Sequence, residues 1–177
     1  MNPSSSAMIR SLFISKGALE KGAARPKDVP DQRVKTVGIL GAGMMGAGIA
    51  LVAAQADIEV VLVDQDQNAA NEGKQYSEKY LTDGIKRGKI SEKIKEKTLN
   101  RILATDDYKK LTDADLVIEA VFEDTKVKSD VTKAALEVIH KDCIFASNTS
   151  TLPISELAKA SKYPENYIGI HLPLIHI

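Results

Sequence analysis

The sequence predicts an α/β fold of Rossmann type: a mostly parallel sheet with helices on both faces and a helical pair projecting from the core. Three observations carry this expectation. From Val34 onward, short apolar runs alternate with helical stretches, as in successive β-α-β units. The first run, Val34-Lys35-Thr36-Val37-Gly38-Ile39-Leu40, passes directly into Gly41-Ala42-Gly43-Met44-Met45-Gly46, and a later run, Val60-Val61-Leu62-Val63, ends in Asp64. The run Leu116-Val117-Ile118 is apolar without alternation, as a strand buried on both faces should be.

Taken in order, these patterns place strands at 34–40, 58–64, 102–105, 115–121, 143–148 and 167–172, and helices at 44–56, 66–87, 91–101, 125–140 and 154–161. The helix at 44–56 is the small-residue run that follows the glycines. The segment 66–101 is longer than a simple crossover needs. Asp83-Gly84 and Arg87-Gly88 are expected to break it, and Ser91 to cap a new helix with Glu92 in its first turn. The result is the projecting helical pair. Its basic residues Lys86, Arg87, Lys89, Lys93, Lys95 and Lys97 face Glu92 and Glu96 in the same stretch. They read either as a solvated face or as a contact for an anionic substrate such as a nucleotide diphosphate.

The first 33 residues differ from the rest and form a separate segment from the domain at 34–177. They contain Asn2-Pro3-Ser4-Ser5-Ser6, a short amphipathic stretch around Met8-Ile9-Leu12-Phe13, and then Gly17, Gly22, Pro26 and Pro30. Arg10, Lys16, Lys21, Arg25 and Lys27 supply positive charge, and Glu20 is the only acid before Asp28. Two readings stand side by side: an Arg- and Ser-containing transit peptide for the mitochondrial matrix, or a linker or the tail of a preceding domain.

Composition bounds the function. The 177 residues suit one domain with an appendage. Net charge is zero, with a pI near 6.8, so nothing points to nucleic acid or an anionic membrane as partner. No apolar run approaches the ~20 residues of a membrane span. Cys143 is the only cysteine. It allows no internal disulfide and no cysteine-based zinc site, and in Cys143-Ile144-Phe145-Ala146 it reads as a buried thiol. No metal is expected.

The glycine motif carries the chemistry. Gly41 allows the tight turn out of the strand, Gly43 lets backbone approach a pyrophosphate, and Gly46 lets the helix lie close on the sheet. The helix N-terminus offers N–H groups and partial positive charge to phosphates. Asp64 suits a ribose hydroxyl and repels a 2′-phosphate, so the expected cofactor is NAD rather than NADP. The competing reading is a plain βα turn with Asp64 as a helix cap; the strand, helix and acid in the right order favour the dinucleotide.

Several stretches together resemble the NAD-binding domain of 3-hydroxyacyl-CoA dehydrogenases: Gly38 to Gly46, Asp115-Leu116-Val117-Ile118-Glu119-Ala120-Val121-Phe122-Glu123, Lys126-Val127-Lys128, Ala146-Ser147-Asn148-Thr149-Ser150-Thr151-Leu152, and Tyr167-Ile168-Gly169-Ile170-His171. Within that family the likeness is to the dehydrogenase portion of the bacterial multifunctional fatty-acid oxidation alpha subunit, where an enoyl-CoA hydratase domain comes first. That favours the linker reading of the first 33 residues and a cytoplasmic setting. The resemblance implies that Met45 and Asp64 contact the pyrophosphate end and adenosine ribose of NAD. It implies that Val121, Phe122 and Glu123 line the nicotinamide side with Lys128 near them. Ser150 would face nicotinamide and the substrate hydroxyl, and His171 would be the general base. The implied substrate is an acyl-CoA, and the implied partner in the parent complex a thiolase subunit. The residues themselves also admit blander roles: Ser150 as a cap, Glu123 and Lys128 as surface charges, His171 as a structural histidine. His140 and His176 carry no assigned function.

After His171 the family pattern continues with two aromatics, a small polar residue and a proline, where this chain reads Leu172-Pro173-Leu174-Ile175-His176-Ile177. Leu174 stands in place of the polar residue. The family's glutamate partner for the histidine and its helical C-terminal domain would follow later. The expectation is therefore a fragment, or a chain whose last six residues left the parental frame, binding NAD with little turnover by itself. The sequence-based alternatives are a non-catalytic NAD-binding module and a dehydrogenase of short hydroxy acids.

Overall fold

The computed structural model of the protein describes residues 3–29 and 33–172. The departure from the family pattern at Leu174 lies outside the described residues. The chain divides at Arg33–Val34 into two units. In the first, α1 (Pro3–Ile9) runs through a π-helical stretch, Arg10–Ser15, into α2 (Lys16–Glu20). Met8, Ile9, Leu12 and Phe13 of that unit are exposed.

The second unit is a six-stranded sheet in which every paired strand is parallel: β1 (Thr36–Leu40), β2 (Glu59–Val63), β3 (Ile102–Thr105), β4 (Leu116–Glu119), β5 (Ile144–Asn148) and β6 (Tyr167–Ile170). Their order across the sheet is β3-β2-β1-β4-β5-β6. The chain thus winds outward from β1 in one direction, then returns to β4 and winds outward in the other. The switch between β1 and β4 opens a crevice at the carboxyl ends of the strands.

Both faces of the sheet are apolar, as the unbroken runs predict. Val37, Ile39, Val60, Leu62, Ile118 and Ala146 meet α3 (Met44–Gln55) through Ile49, Ala50 and Ala54. The alternate residues Leu40, Val61, Val63, Val117 and Phe145 face the other way, toward Leu111 and the helix α6 (Thr125–Leu136) with Ala135 and Leu136. The rings of Phe145 and Tyr167 stack with centroids 5.2 Å apart. The starts of β1 and β4 are stapled by Asp115, whose carboxylate accepts the N–H groups of Lys35 (2.7 Å) and Thr36 (2.9 Å). Those two donors hold the Asp115 carboxyl below the usual carboxylate range.

Between β2 and β3 come α4 (Gln67–Lys86) and α5 (Glu92–Asn100). Asp83-Gly84 does not break α4. Gly84 is packed against Ile90, whose side chain takes the space a Cβ would need, and the helix ends only at Arg87, with Gly88 at φ +68. Asp66 caps α4 through Ala69 N–H (2.9 Å), and Ser91 caps α5 through Ile94 N–H (3.3 Å). Three of the six basic residues named above are engaged in ion pairs: Lys86 with Asp83, Lys95 with Glu78, and Lys97 with Asp57 in the turn after α3. α6 stops at Leu136, short of the expected 140. The last expected helix is four α-helical residues, α7 (Ile154–Leu157), and then a 3-10 turn. Among the described residues no helix is long and apolar enough to cross a membrane, and no group of three His, Cys, Asp or Glu could hold a metal ion.

Cys143 is buried at the foot of β5. Burial, with the Asp115 carboxylate nearby, pushes its thiol up to about 11 against one backbone donor at Val117. A thiolate is the reactive form. The native protein should therefore resist an aromatic disulfide reagent at pH 8 and react once urea unfolds it. Rapid modification before unfolding would contradict this environment.

Candidate functional site

The turn from β1 into α3 uses its three glycines differently. Gly41 has φ +94, and a Cβ there would crowd the Ala120 carbonyl at 2.9 Å, so the residue serves both conformation and close approach to β4. A Cβ at Gly46 would fall on the carbonyl oxygen of Gly41. Gly43 is the N-cap of α3 with φ −65, which any residue adopts, and nothing lies within 4 Å of the Cβ it lacks. The first bond of the helix runs from Ala47 N–H to Gly43 O (2.8 Å). The N–H groups of Met44, Met45 and Gly46 precede it and carry the positive end of the helix dipole.

At the end of β2, Asp64 Oδ2 accepts Ala42 N–H (2.5 Å), and Oδ1 accepts Gln65 N–H (2.7 Å). Asp64 thus fixes the glycine turn as well as closing the strand. A cavity of about 360 Å³ lies between them, bounded by Gly43, Met44, Asp64, Gln65, Glu72 and Tyr76 among others.

Across the switch point, a second cavity of about 290 Å³ gathers Met45, Val121, Glu123, Ser150 and His171, with Asn148 and Thr149. These come from the start of α3 and from the segments that follow β4, β5 and β6. Glu123 ties two of those segments together. Its Oε1 accepts the hydroxyls of Thr149 and Thr151 (3.2 Å for the latter) and the N–H of Ser150 (3.3 Å), while its Oε2 lies 3.2 Å from Lys128 Nζ. Burial works against its charge, but the Thr149 hydroxyl, the Lys128 ammonium and the Thr151 hydroxyl outweigh it. The carboxyl is held below its ordinary value. Asn148 Oδ1 accepts Leu172 N–H (3.3 Å), which holds the backbone beside His171.

Behind this cavity lies a buried ion pair. Lys128, on α6, donates to Glu119 at the end of β4 at 2.8 and 3.1 Å, and to the Asn148 carbonyl at 3.3 Å. Glu119 also accepts the Val121 N–H (2.8 Å) and the hydroxyl of Ser147 (2.7 Å), its register partner on β5. Asp124 caps α6 through the N–H groups of Lys126 and Val127 (both 2.9 Å), aiming the helix so that Lys128 points inward.

The structure brings together most, but not all, of the residues the sequence singles out. Gly43 and Asp64 share the first cavity; Met45, Val121, Glu123, Ser150 and His171 share the second. Met45 and Asp64 thus line different cavities. Phe122, between Val121 and Glu123 in the chain, is 79% exposed and does not line that cavity. Lys128 is neither a surface charge nor a cavity residue but fully buried, reaching the site through Glu123. Sequence reasoning assigned no role to Glu119, Ser147 or Asn148. The signal was a glutamate inside the apolar run Leu116-Val117-Ile118-Glu119-Ala120-Val121, since a carboxylate in a doubly buried strand requires a partner.

Two cavities flanking the switch point, an open cradle at a helix N-terminus and a carboxylate closing β2 define a dinucleotide-binding α/β domain. Residues 36–173 match the family described as 3-hydroxyacyl-CoA dehydrogenase, NAD binding domain. The chain is 36% identical over 180 residues to the fatty acid oxidation complex subunit alpha of Shewanella putrefaciens (strain CN-32 / ATCC BAA-453), covering 97% of this chain and 25% of that protein. It thus spans about a quarter of the length of the curated relatives it matches. Among solved structures, FadB2 of M. tuberculosis is similar at a TM-score of 0.78 and 36% identity, covering 81% of this chain and 51% of that one. The (S)-3-hydroxybutyryl-CoA dehydrogenase PaaH1 from Ralstonia eutropha is similar at 0.77 and 35%, covering 80% and 50%. The chain belongs to the NAD-binding domain family of the 3-hydroxyacyl-CoA dehydrogenases, and its cofactor is NAD.

Alanine at two glycines separates cofactor approach from packing. Gly43→Ala should leave the melting temperature nearly unchanged and weaken NAD about tenfold or more, a change of ~1.4 kcal/mol or greater. Gly46→Ala should lower the melting temperature by several degrees, since overpacking costs ~1–3 kcal/mol. Calorimetric titration and thermal melts check both; unaltered NAD affinity in Gly43→Ala would reduce the motif to a turn.

Proposed function

We propose that this chain is the cofactor-binding part of an L-3-hydroxyacyl-CoA dehydrogenase, which oxidises a 3-hydroxyacyl-CoA to the 3-oxoacyl-CoA in fatty-acid β-oxidation. The observation that carries the reading is the meeting of Ser150, His171, Glu123 and Val121 in one cavity, across the sheet's switch point from Asp64 and Gly43. Asp64 accepts hydrogen bonds from the adenosine ribose, and Gly43 admits the pyrophosphate to the α3 N-terminus. When bound, NAD supplies the hydride acceptor. The Ser150 hydroxyl orients the substrate oxygen, and His171 takes its proton as general base, the role for which a histidine is suited near neutral pH. The names of the matched relatives support a place in a fatty-acid oxidation complex; a thiolase subunit as partner and a cytoplasmic setting are what the resemblance described above adds to that reading. The matched relatives also support a connecting role for residues 1–33, because the match to the Shewanella putrefaciens protein takes in 97% of the chain.

In the complete protein that carries this domain, His171→Ala should cut oxidation of 3-hydroxybutyryl-CoA by about 10²–10⁴-fold while NAD affinity holds. Equal turnover in the variant would remove the histidine from the mechanism. The chain should also bind NAD more tightly than NADP, and Asp64→Ser should narrow the gap, because the carboxylate no longer repels a 2′-phosphate. Equal affinities in the parent chain would show that Asp64 serves only the turn.

A further inference from the structure

Glu119, Lys128 and Glu123 form a charge arrangement that the proposed chemistry leaves unused. Two carboxylates share one ammonium: Lys128 Nζ lies 2.8 Å from Glu119 and 3.2 Å from Glu123. The groups that bond the carboxylates are all donors. Glu119 receives Lys128, Val121 N–H and the Ser147 hydroxyl; Glu123 receives Lys128, Ser150 N–H and two threonine hydroxyls. That is the surrounding of two ionised carboxylates. The cluster therefore carries one negative charge in excess. Glu119 and Lys128 are fully buried, and Glu123, with 38% of its side chain exposed, is the member that lines the cavity beside Val121 and Ser150.

We infer that this buried cluster sets the site's preference between the two oxidation states of the cofactor, its surplus carboxylate charge favouring the positively charged oxidised nicotinamide over the neutral reduced ring. The inference rests on the reading that this cavity takes the nicotinamide end. The two forms of the dinucleotide share ribose, pyrophosphate and adenine, so a charge at Glu123 enters the ratio of their affinities and nearly cancels elsewhere. A unit charge lining the cavity that takes the ring would, in a medium of intermediate dielectric, move such a ratio by about tenfold. Glu119 is a positioning residue: it anchors Lys128 and the Val121 N–H, and through Lys128 it fixes Glu123 against the loop after β5.

The test compares dissociation constants of NAD+, NADH and ADP-ribose for the parent chain, Glu123→Gln and Glu119→Gln, at one pH and ionic strength, with thermal melts of each. Glu123→Gln should raise the ratio of the NAD+ constant to the NADH constant about tenfold, chiefly by weakening NAD+, while ADP-ribose affinity holds. Glu119→Gln, buried behind the cavity rather than lining it, should shift the ratio the same way by less. If Glu123→Gln weakens NAD+ and NADH equally, the residue only tethers its loop and the inference is overturned. It is equally overturned if neither variant moves the ratio. Failure of the underlying reading looks different: the parent chain would bind all three compounds with one affinity, or none of them.

Discussion

Helix α3 begins against the carbonyl oxygen of Gly41, with no room for a methyl group at Gly46. This contact sets the depth of the helix on the sheet, and the position of its N-terminus follows. The turn is held from the other side as well, where Gly73 of α4 lies over Ala42 so closely that a Cβ would come within 2.6 Å of the Ala42 side chain. Asp64 adds a hydrogen bond to Ala42 N–H. Clamped by two helices and a carboxylate, the turn keeps its cradle at Gly43 formed and open. Such a site binds with little reordering of its own, which saves affinity that a flexible loop would lose.

The opposite half of the crevice is organised by charge. A lysine and a glutamate without solvent exposure face each other across β4 and α6, and removing one partner of such a pair typically costs ~3–5 kcal/mol. The donors around Glu119 satisfy it fully, so the pair fixes a geometry without leaving an orphaned polar group. What it fixes is the spacing of the segments after β4 and β5, the two that present Glu123 and Ser150. Steric closeness builds one side of the site and a paired charge the other.

The sequence made the frame legible because each feature is local. The six strands, the glycine turn and Asp64 follow from runs, spacing and end residues, and their positions agree with the structure to within a few residues. The packing tasks of Gly41 and Gly46 are also readable, since each answers a steric question posed by the motif. What escaped depends on contacts far apart in sequence. Gly84 reads as a breaker in one dimension, yet Ile90 packs over it and the helix continues. Lys128 looks like one more helix-surface cation until Asp124 sets the helix direction and Glu119 waits beneath it. Phe122 sits among site residues in sequence, yet it is exposed and does not line their cavity. The resemblance to a known family supplied Ser150 and His171, for which the residues alone left structural roles open.

The winding of the sheet away from β1 in two directions has a consequence for how this surface changes. One cavity is built by the glycine turn, the end of β2 and the start of α4, the other mainly by the segments after β4, β5 and β6. They adjoin at the first turn of α3, where Met44 lines one and Met45 the other. Substitutions on well-separated groups with no shared partner act additively, within a few tenths of a kcal/mol. A lineage carrying this domain can therefore retune its grip on one end of the dinucleotide without renegotiating the other. Drift in the two halves is coupled at the first turn of α3, which both cavities share.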